Sequence, residues 1–510
     1  MKKFYLSTAI PYVNYVPHCG FALEIIQADV IARYRRFLGE DVFFLTGTDE
    51  NSLKNVQAAR REGISVKELV DRNANKFYEL KKVLNLSFND FIRTTETRHV
   101  KGAQKFWRAC QKDIYKKTYK GLYCVGCEEF YKESELINGL CPEHKTRPEL
   151  VKEENYFFRL SKYQDKFKKI IAGKKVKIIP ETRQNEVMSF INSGLEDICV
   201  SRAAGRGQGW GIPVPGDPSQ ILWTWYDALS NYVNAVGYYD NPERFKKWWP
   251  ADLHIVGKGV IRFHAIYWIA MLLSAGLALP KSIFVHGYLT VGGQKMSKSL
   301  GNVVDPFKLV EKYGTDPVRY FLLREILPTE DGDFTYQKFE GRYNADLARG
   351  LGNFVARVIT LATKCKMQNA KCKITIQNLK LKKEIDRTRK KYQKALEEFK
   401  FNEALIAIWG LIGFCDKYIE RQKPWELLSQ AQSSNLKAQK FEEILSNLLF
   451  TLANIGSMLR PFLPETADKI FEQLGIKPVD KKWKFVIHPP KFYEIKLWRI
   501  KKGKSLFPRI

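Results

Sequence analysis

Acidic residues are scarce in this 510-residue chain: 55 Asp and Glu stand against 84 Lys and Arg, a formal charge of +29. So basic a protein is ill suited to cationic partners and suits a polyanion such as nucleic acid, since each phosphate contact releases counterions. A lysine-rich composition throughout would give the same total, but the excess is uneven. From Gly341 to Ile510 there are 34 basic residues against 16 acidic ones. No apolar run reaches the roughly 18 to 20 residues a bilayer span needs. The start, Met1-Lys2-Lys3-Phe4-Tyr5-Leu6-Ser7, lacks a long apolar stretch before a small-residue cleavage site, so it reads as a strand rather than a signal peptide. A cytoplasmic protein outside the membrane is expected. Nine cysteines are too few for a secreted disulfide scaffold, and six of them stand singly, with buried reduced thiols as their default reading. No internal repeat or low-complexity tract is present.

What is present is ample apolar material, 45% of the chain, for about three or four compact units. Lys3 to Thr8 reads as a strand, residues 21 to 38 as a helix stopped by Gly39, and Val42 to Leu45 as a buried strand. That order is a βαβ unit with parallel strands. Leu253 to Val256, an apolar helix from Val260 to Ala275, and the strand Ile283 to Val285 repeat it. Residues 116 to 200 lack βα alternation and read as an insertion. Beyond about 340, strand signals vanish and helical patterns follow: Ala345–Thr363, Leu381–Phe399, Asn402–Arg421 and Phe441–Leu459. The basic, aromatic last thirty residues are expected to pack along a domain surface. The expected architecture is α/β. A Rossmann-like parallel-sheet domain (1–115 and 201–290) is split by an insertion at 116–200, linked through 291–340 to an α-helical bundle at 341–510.

Four groups carry chemistry. Pro11-Tyr12-Val13-Asn14-Tyr15-Val16-Pro17-His18-Cys19-Gly20 lies between the first strand and helix, where open α/β sheets bind ligands and a helix N-terminus favours phosphate. His18 can donate to a phosphate oxygen, and Gly20 permits close approach of the backbone; alone, His18 would be an ordinary loop histidine. Gly292-Gly293-Gln294-Lys295-Met296-Ser297-Lys298-Ser299 joins a glycine hinge to Lys295 and Lys298, which can stabilise charge on a leaving pyrophosphate. Cys124-x2-Cys127-x13-Cys141-x2-His144 has the spacing of two knuckles supplying four N/S ligands to a structural Zn²⁺. The aromatic run Leu222 to Tyr232, with Asp49 beyond the second strand and the helix start at Val260, reads as a pocket or as ordinary aromatic core.

The Pro17-His18-Cys19-Gly20 string followed later by Lys-Met-Ser-Lys-Ser resembles the two signatures of class I aminoacyl-tRNA synthetases. One position departs: the first signature usually ends in a second histidine, where this chain has Phe21, which either weakens ATP binding or stacks where the imidazole sits. The single four-ligand knuckle and the aromatic segments are similar to those of methionyl-tRNA synthetases. This resemblance places Ile10, Tyr12, Asp49, Trp225, Ala228, Tyr232, Val260 and His264 around methionine, and His18, Gly20, Lys295 and Lys298 on ATP. The family usually continues Asp-Glu-His-Gly where this chain has Asp49-Glu50-Asn51-Ser52. Asn353 and Arg357, four apart on one helix face, and Trp425, after a proline suited to a helix's first turn, fall in the family's anticodon-reading contexts, where edge hydrogen bonds and stacking recognise unpaired bases. The resemblance implies methionine–tRNA ligase activity with Mg²⁺-ATP and tRNA(Met), initiator tRNA included, in a monomer. The rival readings are cysteinyl-tRNA synthetase, whose zinc would need an open position for the substrate thiol, and a non-catalytic RNA-binding paralogue.

Overall fold

The computed structural model describes residues 1–143, 145–296, 301–364, 372–430, 434–476, 494–497 and 500–510. Its central sheet has six strands: β1 (Lys3–Thr8), β2 (Asp41–Thr48), β3 (Asp90–Arg93), β4 (Lys177–Ile179), β5 (Leu253–Gly257) and β6 (Ser282–His286). Their order is β3-β2-β1-β5-β6-β4, and every pairing is parallel. The continuous apolar runs of β1, β2 and β5 follow from this, because a parallel sheet covered on both faces buries both sides of its strands. The chain leaves β1 toward β2 on one side and returns as β5 on the other. A crevice therefore opens at their carboxyl ends, the switch point where such sheets bind ligands.

α1 (Cys19–Phe37) follows β1 and ends where Gly39, at φ +82°, takes the left-handed turn that glycine accepts at no steric cost. The insertion forms an antiparallel sheet from Glu129–Tyr131, Ile114–Cys124, Glu149–Phe158 and Ile198–Cys199. It does not extend unbroken to residue 200, because Lys177–Ile179 pairs with β6 and completes the main sheet. Three residues are too short to register as a strand by pattern alone. The expected helix from Val260 to Ala275 is likewise composite: a 3₁₀ turn at Lys258–Val260, a π-helical turn at Phe263–Tyr267, and an α-helix only from Trp268.

α2 (Thr315–Arg324) bridges to the C-terminal helices α3 (Asn353–Thr363), α4 (Leu379–Glu397), α5 (Phe401–Gln422), α6 (Pro424–Gln430), α7 (Asn435–Leu459) and α8 (Pro464–Gln473). α7 is buried nearly all round from Ile444 to Leu459, as the central helix of a bundle must be. The all-helical expectation fails at one place, since Cys372–Thr375 pairs antiparallel with Glu494–Leu497. Residues 500–510 dock back on the bundle: Ile500 and Phe507 are buried, and Asn344 Nδ2 donates to the Ile510 carbonyl at 3.1 Å. No helix among the described residues is long and apolar enough to cross a membrane.

Candidate active site and metal centre

A cavity of about 700 Å³ opens at the carboxyl ends of β1, β5 and β6. Ile10, Tyr12, His18, Gly20, Asp49, Trp225, Ala228, Tyr232, Val260 and His264 all line it. His18 is the N-cap of α1, and its Nδ1 accepts the Gly20 amide at 3.0 Å. The neutral ring therefore carries its proton on Nε2, as a donor. A Cβ at position 20 would stand 2.7 Å from His18 Cε1, so the glycine first makes room for the histidine. Phe21 lines the cavity and packs edge-on against Phe77, centroids 5.2 Å apart. Of the later signature, Met296 lines the cavity. Lys298 lies outside the described residues, and of Lys295 only the backbone strand is described.

The far wall is aromatic. Trp225 stacks on Phe263 with centroids 3.8 Å apart and planes within 4°, and meets Tyr12 edge-on at 6.2 Å. His264 donates Nδ1–H to the Val260 carbonyl at 2.9 Å and accepts the Tyr232 hydroxyl at Nε2 at 2.7 Å. Burial lowers its pKa to about 4, so the ring is neutral and both nitrogens are committed. The Tyr12 hydroxyl is buried with no protein partner among the described residues.

Asp49 is 2% exposed. Burial, then the nearby Asp227 and Glu128 carboxylates, push its pKa well up, a setting in which a cation would be welcome. The Asn51-Ser52 departure from the family pattern has a structural account. Asn51 Nδ2 donates to Asp227 Oδ2 at 2.7 Å and to the Thr94 carbonyl at 3.2 Å. Its backbone N–H reaches Asp49 Oδ1 at 3.3 Å, and Ser52 caps the next helix. His99 Nε2 takes the other Asp227 oxygen at 2.5 Å.

Cys124, Cys127 and Cys141 bring their sulfurs within 4.8 Å of one another, Cys127 and Cys141 at 3.5 Å. Four ligands about 2.3 Å from a tetrahedral Zn²⁺ stand about 3.8 Å apart, so the three thiols fit such an ion. His144 lies outside the described residues. The knuckle also touches the pocket: Cys127 lines the cavity, and its carbonyl accepts the Trp225 indole at 3.1 Å.

A family model described as tRNA synthetases class I (M) matches residues 4–148 and 133–359. The chain belongs to the methionyl-tRNA synthetase family. A second model, the anticodon-binding domain of tRNA ligase, matches residues 379–503. The chain is similar to the methionine–tRNA ligase of Caldanaerobacter subterraneus subsp. tengcongensis, 43% identical, covering 100% of this chain and 79% of the relative. The Thermotoga maritima ligase is 42% identical over 93% of this chain and 76% of the relative. Among solved structures, Mycobacterium tuberculosis methionyl-tRNA synthetase in complex with methionyl-adenylate superposes with a TM-score of 0.93 at 38% identity, covering all of both chains.

In this synthetase-family chain the helical-domain residues lie on α3 and α6, both of which pack on α7. Asn353 is exposed at the start of α3. Arg357, one turn on, pairs with Asp416 at 3.2 Å and Glu420 at 3.6 Å, both on α5. Trp425 is 46% exposed at the start of α6. It stands five positions beyond Glu420, a span of at most about 18 Å.

Sequence reasoning missed a second polar pair in the cavity. Glu24, on α1, accepts the Ala9 amide at 2.9 Å and meets His286 Nε2 at 2.8 Å. A glutamate within an apolar helix stretch and a rare histidine ending a strand were the available signals.

Proposed function

We propose that this protein is a methionine–tRNA ligase. It activates methionine with ATP to methionyl adenylate and pyrophosphate, then transfers the methionyl group to the 3′ end of tRNA(Met), the initiator included. The observation that most supports this reading is the gathering, in one cavity, of residues far apart in sequence: His18, Gly20, Asp49, Trp225, Tyr232 and His264.

Asp49 pairs with the substrate's α-ammonium group. The neutral His264, held by Tyr232 and Val260, leaves an uncharged aromatic wall for the polarizable thioether, with Ile10, Tyr12, Ala228 and Trp225 around it. A methionine carboxylate oxygen attacks the α-phosphorus, and the bond to the leaving pyrophosphate breaks. His18 donates from Nε2 to phosphate oxygens, while Lys295 and Lys298 neutralise charge on the leaving group. The terminal ribose hydroxyl of tRNA then attacks the mixed anhydride and AMP departs. No covalent enzyme intermediate is needed, so catalysis rests on positioning and electrostatics. Mg²⁺ bound with ATP supplies further positive charge at the phosphates. Cys124, Cys127, Cys141 and His144 would hold Zn²⁺, which would brace the fold beside the cavity. Asn353, Arg357 and Trp425 read anticodon bases. The protein works as a monomer in the cytoplasm.

ATP–pyrophosphate exchange with methionine, cysteine, leucine and no amino acid tests the reading. Exchange should depend on methionine alone and disappear in Lys298→Ala. Cysteine-driven exchange, or none with any amino acid, would replace it with one of the rivals.

A further inference from the structure

The catalytic sheet and the helical bundle meet around one buried cation. Arg319, in α2, is fully buried, and its guanidinium uses four of its five donors. Nε donates to the Phe462 carbonyl at 2.7 Å and Nη2 to Pro461 at 3.0 Å, both in the turn between α7 and α8. Nη1 donates to the Leu84 carbonyl at 3.0 Å, in the loop ahead of β3. Nη2 also meets Asp29 Oδ2 at 2.8 Å, midway along the helix that His18 caps. One planar group thus touches the catalytic helix, the catalytic-domain loop and the helical domain.

The partners are themselves held. Asp29 accepts the amide and hydroxyl of Ser87 at 2.7 and 2.6 Å and Arg33 Nε at 2.7 Å. Asp316, three residues before Arg319 and so on the same helix face, accepts the Thr466 amide of α8 at 2.6 Å. Thr315 donates to the Val83 carbonyl at 2.9 Å. α2 therefore grips the α7–α8 corner with two side chains and the 83–84 segment with two. Burying a guanidinium is costly for stability alone, and apolar replacements of buried ion pairs are often tolerated. What a planar fork adds is a fixed direction to each acceptor.

We propose that Arg319 is a positioning residue for the transfer step, fixing the helical domain against α1 so that a tRNA held by that domain delivers its 3′ end to the cavity at His18. This rests on the ligase reading. Methionine and ATP meet only the catalytic domain, and so does an acceptor-stem minihelix. Only full-length tRNA spans the joint.

The test compares Arg319→Lys, and the charge-free double variant Asp29→Leu/Arg319→Met, with the parent. Methionine-dependent ATP–pyrophosphate exchange should stay within about twofold, and minihelix charging likewise, while kcat/KM for full-length tRNA falls about tenfold, an ordinary coupling between distant sites. The double variant removes both charges together, so neither ion is left buried without its counter-charge, while the Ser87 amide and hydroxyl, Arg33 Nε and the Phe462, Pro461 and Leu84 carbonyls lose a partner. A melting temperature read beside the rates separates that cost from a loss in transfer. A parallel fall in exchange, minihelix and full-length charging would make Arg319 a stability residue and overturn the proposal, as would an unchanged preference for full-length tRNA. Failure of exchange in the parent would instead remove the ligase reading.

Discussion

The indole of Trp225 donates to the carbonyl of Cys127 at 3.1 Å while its ring lies flat on Phe263, 3.8 Å away. The neighbouring carbonyl, that of Glu128, accepts the Trp223 indole at 2.5 Å, and the Glu129 carboxylate accepts the Tyr267 hydroxyl at 2.7 Å. Three successive knuckle residues thus anchor the aromatic wall. Chelation should raise KM for methionine by about tenfold, roughly the worth of one buried hydrogen bond, and leave KM for ATP much less changed. In Trp225→Phe, which keeps the stack and loses the N–H, chelation should have a smaller further effect, as a double-mutant cycle would measure. Metal content read alongside ties the change to the cysteines. Equal changes in both KM values would place the knuckle's influence elsewhere.

Asn51 ties a catalytic-loop backbone to a carboxylate 176 residues away. Asn51→Leu keeps the volume but removes one of the donors to Asp227, which is fully buried. A buried charge that loses a partner costs about 1–3 kcal/mol or more, so chemical denaturation should show a loss of that size. Methionine KM should change much less, because the contact to Asp49 Oδ1 comes from the backbone N–H of residue 51, which the variant keeps. Unchanged stability would mean that His99 alone suffices for Asp227.

The sheet was legible because β1, β2, β5 and β6 are apolar runs flanked by turns; the cavity residues followed from the resemblance to methionyl-tRNA synthetases, since Trp225, Ala228 and Tyr232 lie on short helices rather than at strand ends. The strand Lys177–Ile179 and the Cys372–Thr375 pairing were not: each is short, and each is stabilised by a partner distant in sequence. Periodicity does not separate one widened turn from the next, so the π-helical turn that carries His264 is indistinguishable in sequence from plain helix. Phe21 was read as stacking in the histidine's place or weakening ATP binding; its packing on Phe77 comes from the helix Val66–Val83, which no local motif foretells.

Phe21→His follows from that packing. The ring contributes to an edge-on aromatic pair, worth about 0.5–1.5 kcal/mol beyond its area, and also faces the cavity. The variant should melt at a lower temperature yet bind ATP more tightly in the exchange assay, since imidazole adds a donor beside the phosphates. A higher KM for ATP would show that the phenyl ring itself serves the nucleotide.

Tyr232→Phe leaves His264 Nε2 buried without its hydroxyl donor, at a cost of about 1–3 kcal/mol. With its pKa lowered by burial to about 4, His264 favours the folded state at neutral pH. That contribution is present above the ordinary histidine pKa of about 6.5 and is lost as pH falls toward 4. Methionine affinity should accordingly be flat from pH 7 to 8 and weaken below about pH 5, as calorimetric titration across that range would reveal.

Asp316 has the opposite sign. Burial raises its pKa from 3.8 to about 6, with the Thr466 amide and the Arg319 charge only partly offsetting it. Between those values the unfolded chain gives up the proton while the folded chain retains it, so stability falls as pH rises from about 4 to 6 and levels off above. Asp316→Asn keeps an oxygen for the Thr466 amide and removes the titration. It should match the parent near pH 4 and exceed it by about 2–3 kcal/mol at pH 7, two units of pKa being worth roughly that much. Thermal melts of both proteins at pH 4, 5, 6 and 7 give the difference curve. A curve flat across that window would mean that Arg319 already pairs with an ionised Asp316, and that the α2–α8 contact is an ion pair throughout.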